Sequence, residues 1–313
     1  MLEIIDFHVH LPVAGLDRQF TDFNRRYEAA RGREKLAIIQ NWGKVYEEQW
    51  LTAWSFPEPG PSCEPGEAAA LWHNEARKAG LHGVVFVTGG GNAVLADALA
   101  PYGGYFAAFA HHHPEEEAAD ALLEEAILTH GLKGYKIFAP LVEKPLADRS
   151  FEPLWRVAER TNIPVLVHCG ILGGGGGIAS GVNISPLSLE PVARAFPTVP
   201  FIIPHFGCGY VRDLLQLCWA CANVHVDTSG NNEWTRWHPY PLTLEDLFRR
   251  FYETVGAARI IFGSDSSWFP RGFARRYLED QLRACRRLRL PEEDLSLIFG
   301  GNARRLLAGV RHD

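Results

Sequence analysis

The sequence predicts an α/β chain closed as a (β/α)₈ TIM barrel, and three observations carry that prediction. Eight short apolar runs alternate with helical segments along 313 residues. The runs are nearly continuous in hydrophobic residues, as parallel strands covered on their outer face by helices require. Histidine, lysine and aspartate collect near the C-terminal ends of these runs, the end at which such a barrel carries its chemistry. A doubly wound sheet is the alternative, but no G-x-G-x-x-G turn follows the first run. Such barrels take about 250 residues plus insertions as one domain, so a single domain over 1–313 is expected.

The first run ends Ile4-Ile5-Asp6-Phe7-His8-Val9-His10. Strict strand alternation would point Asp6, His8 and His10 the same way. Two imidazoles at one strand end can hold a metal ion from one direction; the bland reading is two ordinary polar residues. Residues 12 to 65 then show no convincing strand. They carry charged helical runs (Arg25, Arg26, Glu28, Arg31, Arg33, Glu34, Lys35), the aromatics Tyr27, Trp42, Tyr46, Trp50, Trp54 and Phe56, and a closing Pro57–Ser62 cluster. Too short and too charged for its own core, this stretch is expected to be an insertion capping the barrel mouth.

From Pro65 the alternation is steady. A helix over Glu67–Ala79 precedes a strand over Gly83–Val87, and a short helix precedes Tyr105–Ala110, which ends in His111-His112-His113. Pro114–His130 is expected to be helical before the strand Lys133–Phe138, and Phe151–Arg160 before Ile163–His168. The segment Leu189–Phe196 leads to Phe201–His205, the helix Tyr210–Ala222 to Val224–Asp227, and the helix Leu244–Val255 to Ile260–Asp265. A last helix pair, broken at Leu290-Pro291, ends in Leu297–Asn302.

Composition excludes several partners. Apolar residues make up 47% and charged residues 22%, the balance of a soluble globule. A formal net charge of -6 argues against nucleic acid or an anionic membrane surface. The basic run Arg283, Arg286, Arg287 and Arg289 reads as a solvated helix face. No apolar run approaches the roughly 20 residues that span a bilayer, and the start carries Glu3 and Asp6 instead of a signal-peptide pattern. Six scattered cysteines do not form a disulfide framework, which points to a reducing cytoplasm. Cys218 and Cys221 have CxxC spacing but lie within a helical pattern with no second pair, so both read as buried small hydrophobes.

The polar residues at strand ends are His8, His10, Lys136, His168, His205 and Asp265. One histidine after a strand is most often structural; four histidines and an aspartate reaching one rim from separate strands point to a site. The motifs Asp6-Phe7-His8-Val9-His10, Gly134-Tyr135-Lys136, His168-Cys169-Gly170 and Pro204-His205-Phe206-Gly207 run in order along the chain. Val226-Asp227-Thr228-Ser229-Gly230, Phe262-Gly263-Ser264-Asp265 and Gly300-Gly301-Asn302-Ala303 follow. In this set the chain resembles the amidohydrolase superfamily of metal-dependent hydrolases. It is most similar to the amidohydrolase-related branch that includes aminocarboxymuconate semialdehyde decarboxylase and related aromatic-acid decarboxylases.

The resemblance implies that His8, His10, His168 and Asp265 ligate one divalent metal ion, with zinc preferred, leaving an open position for water. It implies that Asp265 takes the proton of the activated water and that His205 polarises the substrate carbonyl or stabilises the oxyanion. In binuclear members a carboxylated lysine at the end of the fourth strand bridges two metals. Lys136 falls near that place, but the branch resembled here is usually mononuclear, so Lys136 is expected to face substrate.

The loops add further expectations. His111 and His113 either contact substrate or begin a solvated loop, and the glycines Gly173–Gly177 suit a mobile lid. Trp234, Trp237, His238, Trp268 and Arg271 either pack structurally or form an aromatic cap in which Arg271 grips a carboxylate. Three functions are then open. The leading one is hydrolysis of a small amide, lactone or ester; the second is non-oxidative decarboxylation of an unsaturated or aromatic acid; the third is a metal-binding barrel without turnover. The expected partner is a small-molecule substrate, and analogy with the branch suggests a homodimer.

Overall fold

The computed structural model describes residues 2–13, 18–170 and 181–312, so the Gly173–Gly177 run lies outside the described residues. Its first strand is β1 (Ile5–His10). Two helices follow, α1 (Arg18–Arg31) and α2 (Arg33–Trp54), where the insertion was expected. Then come α3 (Pro65–Ala79), β2 (Gly83–Thr88), α4 (Asn92–Leu99), β3 (Phe106–Ala108), α5 (Ala119–Leu128) and β4 (Tyr135–Phe138). The chain continues with α6 (Glu152–Thr161), β5 (Val165–His168), α7 (Glu190–Ala195), β6 (Phe201–Ile203), α8 (Val211–Ala220) and β7 (Val224–Asp227). It closes with α9 (Leu244–Val255), β8 (Ile260–Ile261), α10 (Arg275–Arg287), α11 (Glu292–Ser296) and α12 (Asn302–Ala308).

All strand pairs are parallel, in the sheet orders β1-β2-β3 and β4-β5-β6-β7-β8. Two seams join these sheets. Ala110 pairs with Tyr135, and Lys136 N–H donates to the Ala110 carbonyl at 2.7 Å. On the other side Phe7 N–H reaches the Phe262 carbonyl at 3.1 Å, Asp265 N–H reaches His8 at 2.9 Å, and His10 N–H reaches Ser266 at 2.9 Å. These bonds close the ring that two separate sheets would leave with exposed edges.

Apolar residues sort by strand alternation. Val84, Phe86, Tyr135, Ile137, Val165, Val167, Val224 and Val226 face the helices in one outer core. Ile5, Phe7, Val85, Val87, Leu166, Ile202 and Ile261 fill the barrel interior, with Ala303 and Leu306 of α12 in the same cluster. By the same alternation Lys136, His168, His225 and Asp227 point inward.

β1 departs from strict alternation. Its register with β2 shifts twice: one extra residue sits on β1 between Asp6 and Val9, and one on β2 between the partners of Val9 and His10. Ile5 and Phe7 belong to the inner core, whereas Val9 belongs to the outer one. The bulge therefore separates Asp6 from His8 and His10 in facing, a common device for re-aiming a side chain beside a site. The expectation that all three point the same way is corrected on this ground.

Two other boundaries differ for local reasons. The helix expected from Pro114 begins only at Ala119, because Ala118 takes a left-handed φ of 55° and the Glu116 carboxylate accepts from His113 N–H in the preceding turn. β6 stops at Ile203 because Pro204 has no N–H to donate and residues 205–209 all have positive φ. α9 shows the local logic at its clearest: Thr243 and Asp246 form a reciprocal capping box. No described helix is long and apolar enough to cross a membrane. All six cysteines are free, with Cys218 and Cys221 both buried, and Arg283, Arg286, Arg287 and Arg289 are exposed.

Candidate metal centre

His8 is the hub of the barrel mouth. It is wholly buried, and its Nδ1 lies 2.6 Å from Asp227 Oδ2. A carboxylate there only accepts, so Nδ1 carries the proton and Nε2 keeps its lone pair. That Nε2 is buried with no hydrogen-bond partner. Burial, then the nearby Lys136 charge, hold the imidazole well below its ordinary pKa, which keeps it neutral and able to ligate. Asp227 is itself locked by Ser229 N–H at 2.7 Å, and burial raises its pKa to about 6. A histidine oriented by a buried carboxylate, with its other nitrogen unsatisfied, is the usual support of a metal ligand.

His10 and Asp265 complete one side. His10 Nδ1 lies 2.6 Å from Thr88 Oγ1, and its Nε2 lies 3.1 Å from Asp265 Oδ1. The same oxygen is 3.7 Å from His8 Nε2. Desolvation pushes the Asp265 carboxyl up, but the hydrogen bond from His10 and the charge of His205 outweigh it and hold it well below the carboxylate range. Asp265 is therefore ionised.

His205 faces His8 across the centre, with ring centroids 5.1 Å apart. Its Nδ1 lies 3.1 Å from the Ser229 carbonyl and 2.9 Å from Ser229 Oγ. Within the described residues, one group of three donors falls within 4.8 Å of one another: His8, His205 and Asp265. His10 joins this group through Asp265. His168 lies behind His205, with ring centroids 5.0 Å apart. All five predicted residues thus meet at one rim, but His205 sits closer to the donor cluster than a purely catalytic histidine requires.

The backbone is bent to make this approach. His205 and Asp265 both take left-handed φ, 57° and 56°, a conformation costing non-glycine residues about 1–2 kcal/mol. Gly263 has no room for a side chain: a Cβ there would lie 2.8 Å from both Asp227 Oδ1 and His8 Cβ.

The remaining candidates divide. Lys136 is fully buried, with Nζ 4.7 Å from the Phe138 ring centroid, and its charge lowers the basicity of His8. His111 Nε2 accepts from Gly89 and Gly91 N–H, and its Nδ1 lies 3.1 Å from the Phe109 carbonyl. His113 likewise has Nδ1 on Glu115 N–H and Nε2 3.2 Å from the Leu141 carbonyl. Both rings bond to loop backbone, the arrangement of the structural alternative. Trp234 is buried and Trp237 is 45% exposed.

Trp268 Nε1 donates to the Pro57 carbonyl, and the Arg271 guanidinium lies over the Trp268 ring at 4.8 Å. The insertion reaches the rim through Tyr46, which donates to Glu233, and Trp50, whose ring is 5.5 Å from Trp268. Sequence reasoning gave no role to Asp227, Ser229 or Thr88. Asp227 and Thr88 each end an apolar run, the signal that found the others.

Comparison with known proteins follows the same line. The family model for amidohydrolases matches residues 5–309. Curated proteins yield no significant match. An uncharacterised TIM-barrel protein from Bordetella bronchiseptica is similar at 21% identity and TM-score 0.63, covering 98% of this chain and 99% of that one. A probable 2-pyrone-4,6-dicarboxylic acid hydrolase from Acinetobacter baumannii, with citric acid bound, is similar at 15% identity and TM-score 0.62, covering 98% and 100%. A 5-carboxyvanillate decarboxylase from Novosphingobium aromaticivorans, complexed with manganese and 4-hydroxy-3-methoxy-5-nitrobenzoic acid, is similar at 15% identity and TM-score 0.62, covering 98% and 96%.

Proposed function

The chain belongs to the amidohydrolase family, and from that premise we propose that it is a metal-dependent hydrolase of a small amide, lactone or ester. The observation that carries this reading is the buried Nε2 of His8, unpartnered and facing a carboxylate oxygen and a second imidazole. A buried nitrogen left without a partner costs about 1–3 kcal/mol, and an ion at the centre would remove that cost. Three imidazoles with one carboxylate suit zinc first, with manganese the alternative the fold neighbours raise.

His8, His10, His168 and Asp265 would hold the ion. When bound, it supplies Lewis acidity and activates water at neutral pH. The protein groups do the rest. Asp265, ionised and partly open to the mouth, accepts the proton of the attacking water and returns it to the leaving group. His205 keeps its Nδ1 against the Ser229 carbonyl, so in its imidazolium form Nε2–H donates to the substrate oxygen as charge develops. Asp227 holds the His8 imidazole in its tautomer, and Thr88 orients the His10 ring.

Metal analysis and product analysis test this together. Purified protein should carry one divalent ion per chain, and His8→Ala should lose both ion and turnover. His168→Ala should also lose the ion, whereas His205→Ala should keep it and lose turnover; the reverse outcome would move His205 into the ligand set. Across a panel of lactones and aromatic acids, acid release supports hydrolysis, and carbon dioxide release would replace it with decarboxylation at the same centre. A metal-replete protein inert on every compound would leave only a binding role. A reducing cytoplasm and a homodimer complete the reading.

A further inference from the structure

Arg271 stands among four aromatic rings without an acidic partner. Its guanidinium carbon lies 4.4 Å from the Phe56 centroid, 4.8 Å from Trp268, 5.5 Å from Tyr277 and 5.7 Å from Trp50. A guanidinium offers five N–H donors. Here Nη1 makes one long bond, 3.4 Å, to the backbone carbonyl of Asp265, and the Tyr277 hydroxyl and the Asp265 charge also act on the guanidinium. Nε is buried with no hydrogen-bond partner, and no ion pair to Arg271 occurs among the described residues. Aromatic faces stabilise a cation by about 0.5–2 kcal/mol, well short of what a withdrawn guanidinium loses from water. The missing element is an anion.

Position says which anion. The bond to the Asp265 carbonyl fixes the guanidinium at the edge of the metal centre. Trp268 and Tyr277 belong to the barrel, but Trp50 and Phe56 come from the insertion. The box is thus half built by the segment that covers the mouth, beside the one carboxylate the centre needs for itself.

We propose that the Arg271 box is the carboxylate subsite of the enzyme, taking a small planar acid whose reacting carbonyl or second carboxyl faces His8, His205 and Asp265. The fork of Arg271 meets the carboxylate in two parallel hydrogen bonds, and the rings flank the plane of the acid. This rests on the metal-dependent reading for the reacting end only; the subsite itself needs no metal.

The competing account makes Arg271 a staple that pins the insertion to the barrel. Benzoate and neutral benzamide separate the two when titrated against metal-loaded and chelator-stripped protein, read by calorimetry and by the fluorescence of the box tryptophans. The subsite predicts that Arg271→Met weakens benzoate by about tenfold or more, the scale of one charge-assisted pair, in both forms. Benzamide binding and metal content should stay as in the wild type, and Arg271→Lys should retain part of the benzoate affinity.

Unchanged benzoate affinity in Arg271→Met, or wild-type protein that does not prefer benzoate to benzamide, would overturn the proposal. If Arg271→Met does not fold, Arg271→Lys decides: loss of the bidentate fork must weaken benzoate selectively. Arg271-dependent binding in stripped protein would survive failure of the metal reading, and a metal centre with no such binding would survive failure of this one.

Discussion

His8 owes its chemistry to a residue it does not touch in sequence. Its 2.6 Å bond to Asp227 fixes the proton on Nδ1 and aims Nε2 inward. Asp227→Asn keeps the volume but removes the charge, and should lower metal affinity by about 10–100-fold, the usual effect of losing a ligand's supporting carboxylate. Metal titration with a competing chelator measures this, and wild-type affinity in the variant would sink the assignment of His8. Gly263→Ala should be harsher, because its Cβ has Asp227, His8 and Ser229 all within 3.0 Å. Neither effect was legible from the residues alone. The terminal positions of apolar runs pointed to the five candidate residues that the fold gathers at one rim, but a run cannot say which carboxylate turns toward which ring. His111 and His113 show the converse: strand-end histidines are also good acceptors for loop N–H groups, and only the fold decides.

At the scale of elements, the strand order was readable because each run is buried on both faces and so is almost uniformly apolar. The bulge in β1 was not. It is a matter of pairing register with β2, and a single sequence carries no register. The helix behind the site also has a function its pattern hides. Gln281 on α10 is buried, and accepts from Thr228 Oγ1 at 2.5 Å. Its Nε2 donates to the carbonyls of Thr228 and Gly263 at 3.1 and 3.3 Å. This amide ties the ends of β7 and β8 together one residue from Asp227. Gln281→Leu leaves a hydroxyl and two carbonyls unsatisfied and should cost about 1–3 kcal/mol. A fall of several degrees in Tm with weakened metal binding is the expected result, and a variant as stable as the wild type would show that water replaces the amide.

At the scale of the whole molecule, closing a barrel places inward residues in stacked layers, and one of those layers holds an unusual group. His225 pairs in register with Ile202 and lies beneath Asp227 on the same face of β7. It is 8% exposed, its Nδ1 has no hydrogen-bond partner, and burial, with the Arg305 and Arg259 charges, lowers its pKa to about 3. The unfolded imidazole titrates near 6.5. Between these values the unfolded chain binds a proton that the folded chain refuses, so stability falls as pH falls from about 6.5 toward about 3. Asp6, raised to about 7, and Asp227, raised to about 6, act with the opposite sign from those values down to 3.8, over most of that window. The wild-type profile alone therefore mixes several groups, His8 among them, and a difference between two proteins isolates one. His225→Leu keeps an apolar side chain of similar size in an apolar layer. At pH 4.5 it should be more stable than the wild type by about 2–3 kcal/mol beyond any difference at pH 7.5, from two pH units at about 1.4 kcal/mol each. Denaturant melts of both proteins at the two pH values measure this. Parallel shifts, with the gap between them independent of pH, would mean that the folded barrel accepts the proton after all.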